Sequence, residues 1–268
     1  MFLPTFYHIT KCAGTFALNQ QIKLHRQYLL DKKINHVDFG RRIIIEENNK
    51  ELGQALIWDK NRILVPIKNT VLVKMNLKEL KEISTKTEPF SLHISTDGLL
   101  VKDKIFNIFE ADYVKWITIK HPFKLIKSLY YYVKSSQSSH EPYHNAFKSS
   151  SLNDHIASDE FPCNILNYYF NGISSVTEKE YILTKKELAT CRVYNTDEAT
   201  KAINEIFQFC YNLKLSDVHP SIDKSFENAN NNVTKNLGSE QYENLEPKYK
   251  QIFDEKMHWD LKLYNDLF

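Results

Sequence analysis

Residues Tyr7-His8-Ile9-Thr10-Lys11-Cys12-Ala13-Gly14-Thr15 put a cation, a glycine and a hydroxyl together directly after an apolar, β-prone run. A strand that turns sharply into a helix at such a point presents free backbone N–H groups and the positive end of the helix dipole. Gly14 lets the backbone approach a ligand closely, Lys11 supplies a point charge and Thr15 a hydroxyl. Those are the parts of a phosphate or sulfate cradle. An ordinary strand-to-helix turn with a surface lysine would use the same residues. The GxxxxGK[ST] spacing of a Walker loop is absent.

A second group is Lys120-His121-Pro122, followed by Ser128. Lys120 ends the β-prone run Tyr113 to Ile119, and α/β sheets bind ligands at the C-terminal ends of their strands. Ser128 falls about two helical turns later, so a cation and a hydroxyl can share one phosphate.

His93 lies in the strand candidate Phe90 to Ser95. An imidazole with an ordinary pKa near ~6.5 suits proton abstraction at neutral pH; a structural sheet histidine is the alternative. His8, inside the first strand, reads as a packing residue, and His121 as one that orients the turn after Lys120. His140, His144 and His155 lie in or near a Ser-rich stretch and are candidate acceptor contacts, with Asp97 and Glu110 as alternative bases. Tyr130, Tyr131 and Tyr132 suit either helix packing or an acceptor groove.

The elements that must position these groups follow from periodicity. Phe2 to Thr10 is a buried strand, and the stretch from Thr15 is helical, with Phe16, Leu18, Ile22, Leu29 and Leu30 near one face. From 41 to 76, IIIEEN, QALIWD, RILVPI and NTVLVKM read as short strands of a small antiparallel insertion. Helices are expected over Leu77 to Ile83, Gly98 to Phe109 and Phe123 to Lys134, with a loop from Ser135 to Ser151. The rest is mainly helical: Leu152 to Phe170, a segment near Lys185 to Ala189, Glu198 to Leu213 and Asn244 to Leu267. Ser225 to Asn236 is polar and irregular. The fold class is α/β, one domain over 1–268 with a parallel sheet of about four or five strands and helices on both faces.

Composition narrows the function classes. A formal net charge of +2 is far from that of a dedicated nucleic-acid binder, and no polybasic surface is implied. The four cysteines form no CxxC pair and no zinc-ligand spacing with histidine, so plain thiols are expected, with a single disulfide as the alternative. No run approaches about 18 apolar residues, so no membrane span is visible. With a strand starting at the first residues, the expectation is a cytoplasmic protein, or a trimmed lumenal catalytic domain of Golgi type.

Tyr7 to Thr15 (YHITKCAGT) resembles the strand–loop of sulfotransferases that use 3′-phosphoadenosine 5′-phosphosulfate (PAPS), usually close to HIPKTGGT. Ile117 to Tyr132 (ITIKHPFKLIKSLYYY) resembles that family's 3′-phosphate site, R-[DH]-P with a serine eight positions after the arginine, and Lys120 to Ser128 keeps this spacing. The closest flavour is the carbohydrate O-sulfotransferase branch that includes uronosyl 2-O-sulfotransferases, with weaker similarity over Leu152 to Val218 and Asp260 to Tyr264.

The resemblance implies a P-loop-kinase-like sheet, PAPS as donor without a metal, and a glycan or other hydroxylated acceptor. It implies in-line displacement with a general base, His93. Lys11 would contact the bridging oxygen and sulfate, and Cys12, Ala13, Gly14, Thr15 and Phe16 would form the 5′-phosphate cradle. Lys120 and Ser128 would hold the 3′-phosphate, and the loop with Thr234 and Lys235 would close over the donor. Thr10 stands where the family carries proline, Cys12 where it carries a hydroxyl-bearing or small residue, and Lys120 where it carries arginine. Lysine lacks the bidentate fork of arginine. Two alternatives are a degenerate sulfotransferase-like protein that binds a nucleotide or glycan without turnover, and a nucleotide-dependent kinase of the same fold. The missing Walker pair and the lack of an obvious magnesium carboxylate weigh against the kinase.

Overall fold

The β-branched and aromatic runs of the sequence become strands of one sheet. In the computed structural model, which describes residues 1–34, 40–59, 72–136, 149, 151–224 and 238–268, the strands are β1 (Phe2–Tyr7), β2 (Gly40–Glu47), β3 (Lys50–Asp59), β4 (Leu72–Met75), β5 (Thr87–Ile94), β6 (Asp112–Ile119) and β7 (Arg192–Asn195). The described helices are α1 (Gly14–Asp31), α2 (Leu77–Ser84), α3 (Thr96–Leu99), α4 (Lys102–Phe106), α5 (Pro122–Ser136), α6 (Leu152–Ala157), α7 (Ile165–Asn171), α8 (Glu178–Leu188), α9 (Ala199–Tyr211), α10 (Pro220–Lys224), α11 (Pro247–Lys256) and α12 (His258–Leu267). The fold is α/β, with helices flanking a sheet of order β4-β2-β3-β5-β1-β6-β7.

β1 runs parallel to both β5 and β6, and β2 parallel to β4, while β3 is antiparallel to β2 and to β5. The segment expected as a small antiparallel insertion supplies an antiparallel pair that is hydrogen-bonded into the main sheet, which has seven strands in all. The join is made at Gly53, whose φ of +151° and lack of a side chain let β3 lie against β5; a Cβ there would meet the His93 carbonyl oxygen at 2.4 Å. The strand expected within RILVPI lies outside the described residues.

The chain divides into two compact units, Met1–Thr118 with Thr190–Asn231, and Ile119–Ala189 with Asn232–Phe268. In the first, one apolar cluster packs α1 and α9 on the sheet through Leu18, Ile22, Ile203 and Phe207 against Phe6, Leu56, Phe90 and Trp116. Burying each such side chain contributes roughly 1.5–3 kcal/mol.

The second unit is helical, and its helix starts are tied reciprocally. Asp260, buried at the start of α12, accepts hydrogen bonds from Leu166 N (2.6 Å), Asn167 N (3.0 Å) and Asn167 Nδ2 (2.7 Å) at the start of α7. Asn164 Oδ1 in turn accepts from Trp259 N (2.8 Å) and Asp260 N (3.1 Å). This exchange accompanies the break of the single helix expected over 152–170 into α6 and α7: Asn164, left-handed (φ 46°) at the start of α7 and without a side-chain cap bond there, turns its Oδ1 to the start of α12. The helix expected over 98–109 is likewise two short pieces, α3 and α4.

Candidate functional site

β1 ends at Tyr7, and the chain needs six residues to reverse into α1. His8 N continues the ladder by donating to Ile94 O at 2.8 Å, and Cys12 N closes a tight turn onto Ile9 O at 3.0 Å. Lys11 (φ 64°) and Ala13 (φ 61°) both hold left-handed conformations without being glycine. Each costs roughly 1–2 kcal/mol, so the surroundings must enforce them. One enforcing contact is the buried Thr118 hydroxyl of β6, which donates to Cys12 O at 2.6 Å.

α1 starts on Gly14 with Ala13 as its N-cap. Alanine offers no oxygen, so no side-chain cap bond forms, and the first turn contains no acidic residue. The N–H groups of Gly14, Thr15 and Phe16 lack intrahelical acceptors by construction, and the dipole of an 18-residue helix adds positive potential. Lys11 sits three residues before this start. The strand, loop and helix expected over this segment are present. The Cys12 side chain is fully buried, and its N–H and carbonyl are engaged by Ile9 O and the Thr118 hydroxyl, so neither its thiol nor its N–H is left for the ligand it was expected to bind. Phe16 packs against the apolar cluster and offers only its backbone.

His93 occupies the C-terminal part of β5, beside Phe6 in the register of β1 and beside Gln54 in that of β3. With Trp116 on the far side of Phe6, these four residues make one row across the sheet, apolar at one end and polar at the other. Arg42 Nε donates to Gln54 Oε1 at 2.6 Å, and Gln54 Nε2 donates to Glu51 Oε1 at 2.8 Å, which completes the polar end. His93 is only 4% exposed and its Nδ1 has no hydrogen-bond partner. Burial first, then His8 and Arg42, hold its pKa well below the ordinary 6.5. His93 is thus a neutral imidazole beneath the surface.

His8 was expected only to pack. It is less buried than His93, its ring stands edge-on to that of His93 at 4.9 Å between centroids, and it lies directly against Gly14. The signal for it in the sequence was the two-residue spacing from Phe6, which puts both side chains on one face of β1.

Lys120 and Ser128 belong to the second unit. His121 orients the turn between Lys120 and α5 as expected: Phe123 N donates to its Nδ1 at 3.2 Å and Leu125 N to its carbonyl at 2.9 Å. Ser128 is buried on α5 at 8% exposure. One turn further along, Tyr131 donates to Glu240 Oε1 at 2.6 Å, and Lys127 Nζ donates to Glu240 O at 2.5 Å, fixing residue 240 against the Ser128 helix. Thr234, Lys235, His140 and His144 lie outside the described residues. Tyr130 packs on His155 at 5.5 Å between ring centroids, which places both in the core of their unit.

Among the described residues no group of three or more His, Cys, Asp or Glu side chains is placed to hold a metal, and no helix is long and apolar enough to cross a membrane. None of the four cysteines is joined in a disulfide. No family model, no curated protein and no solved structure matches the chain.

Proposed function

We propose that the chain binds PAPS through the loop from Lys11 to Phe16 and transfers its sulfuryl group to a hydroxyl of a glycan or similar acceptor. The observation that carries this reading is the uncapped start of α1, free of acidic residues, entered through two left-handed residues one of which is Lys11. In this proposal the Lys11 ammonium sits at the bridging oxygen, where negative charge grows as the phosphate departs; preorganised charge of this kind is the largest usual contribution to such a step. The backbone N–H groups of Gly14, Thr15 and Phe16 bind the 5′-phosphate. For Lys120 and Ser128 the resemblance of Ile117 to Tyr132 alone implies a role at the 3′-phosphate.

A second reading is favoured by one specific observation. The burial of His93 withdraws the residue expected to deprotonate the acceptor, which suits a protein that binds the nucleotide without turnover. Release of 3′-phosphoadenosine 5′-phosphate (PAP) from PAPS, followed across a panel of hydroxylated glycans, separates the two. Acceptor-stimulated release that disappears in Lys11→Ala supports the transferase. Tight nucleotide binding with no stimulated release supports the binding protein. Magnesium-dependent turnover of ATP would contradict both.

A further inference from the structure

The donor-site reading leaves the His8 imidazole without a task. A Cβ built on Gly14 would fall 1.9 Å from His8 Nε2, 2.0 Å from Cδ2 and 2.5 Å from Cε1. The outer edge of the imidazole therefore occupies the space beside the first residue of α1, where the unpaired N–H groups begin. Behind it stands His93, buried, with Nδ1 unpartnered, edge-on to His8. Of this imidazole pair, His8 is the less buried member.

The local charge explains when His8 would take a proton. The N-terminal end of α1 is positive, and Lys11 lies in the same loop. Beyond His93, Arg42 adds a further cation, connected through Gln54 to the carboxylate of Glu51. No acidic residue in the first turn of α1 offsets these. An imidazole facing cations and a positive dipole end prefers its neutral form. A phosphate dianion placed at the same helix start reverses the sign of that field and favours imidazolium.

We propose that His8 is a proton-carrying member of the anion cradle, taking up a proton as a phosphate dianion settles at the start of α1 and returning it when the anion leaves. The proposal rests on the donor-site reading and adds to it an assignment for His8. It accounts for the glycine at position 14, because any other residue there would displace the imidazole from the helix start.

The test is calorimetric titration of the full chain with PAP at neutral pH in two buffers of different ionisation heat. Wild type should take up a fraction of a proton per PAP bound, and His8→Asn should bind PAP about tenfold more weakly with that uptake gone. The second ionisation of the nucleotide phosphate is common to both proteins and cancels in the comparison. Histidine NMR of the wild type supplies a readout independent of the variant: the His8 ring should titrate about one unit higher with PAP bound, while His93 stays neutral. PAP binding with no buffer dependence and an unmoved His8 resonance, or the same uptake in folded His8→Asn, overturns the assignment of His8 alone. No PAP binding by wild type overturns the donor-site reading and this assignment with it.

Discussion

The imidazole of His8 takes the place that a side chain at Gly14 would need, with Nε2 only 1.9 Å from where a Cβ would stand. Gly14→Ala must push the ring aside, and since the atoms met are the far end of the half-buried His8 side chain the cost should lie near the lower end of the usual range for an overpacked site, about 1 kcal/mol. His8→Ala removes the obstacle. The double variant should recover most of what Gly14→Ala loses, a coupling of about 1 kcal/mol. Urea unfolding of the two single variants and the double variant measures it; strictly additive losses would show that the two residues do not meet.

Thr118 supplies the next handle on the loop. Its hydroxyl is the donor to Cys12 O in a fully buried contact at 2.6 Å. Thr118→Val keeps the shape and leaves that carbonyl without this donor, which costs about 1–2 kcal/mol. Because the bond holds the left-handed residues on either side of Cys12, PAP affinity should fall with stability. Unfolding and titration on the same preparation check both; an unchanged affinity would mean the loop holds its shape without β6.

Acid should weaken the helical unit through His155. This histidine is buried between Tyr130 and Phe161, with ring centroids at 5.5 and 5.4 Å. Burial first, then the nearby Lys256 cation, pull its pKa down from 6.5 to about 4. The unfolded chain takes up a proton below about pH 6.5 and the folded unit does not until about 4. Its contribution is therefore complete above 6.5 and is lost as pH falls through that window. His155→Phe, which keeps the aromatic contacts, should lose about 2 kcal/mol less stability than wild type between about pH 7 and pH 4.5. Equal losses in the two proteins would exclude His155 as the cause.

Asp260 acts with the opposite sign. Burial lifts its carboxyl to about 6 against the three N–H donors that pull it down. A carboxyl raised in the folded state contributes most below its ordinary value, and that contribution is lost as pH rises through about 6. Asp260→Ala leaves Leu166 N, Asn167 N and Asn167 Nδ2 without their acceptor and should cost about 3 kcal/mol or more. Urea midpoints of this variant and wild type between about pH 4 and pH 8 should diverge least at the alkaline end; a constant difference would show that Asp260 does not titrate in this range.

The strand–loop–helix unit around Lys11 was legible because every cue in it is local: a β-prone run, a break, a glycine and a helical period. The α/β class followed from the same kind of cue repeated along the chain. What was not legible depends on distant partners. Whether β2 and β3 form a separate insertion or join the main sheet is decided by Gly53 meeting His93, residues 40 positions apart in sequence. The two-helix form of 152–170 is set by Asp260 and Trp259 bonding back to Asn164, Leu166 and Asn167. His93 looked like an accessible base because strand periodicity says which face a residue takes and not what covers that face. The packing of Phe6 and His8 against it, with ring centroids at 5.1 and 4.9 Å, decides its burial.

In the proposed function the start of α1, with Lys11, is an anion site for the adenosine bisphosphate. Calorimetric titration with PAP, beside ATP and magnesium, on wild type and Lys11→Ala tests it most directly. Loss of one charge-assisted contact is worth about 1.5–3 kcal/mol, so PAP should bind selectively and about 10- to 100-fold more weakly in Lys11→Ala. Equal affinity of the two proteins for PAP, or no binding by either, would contradict it.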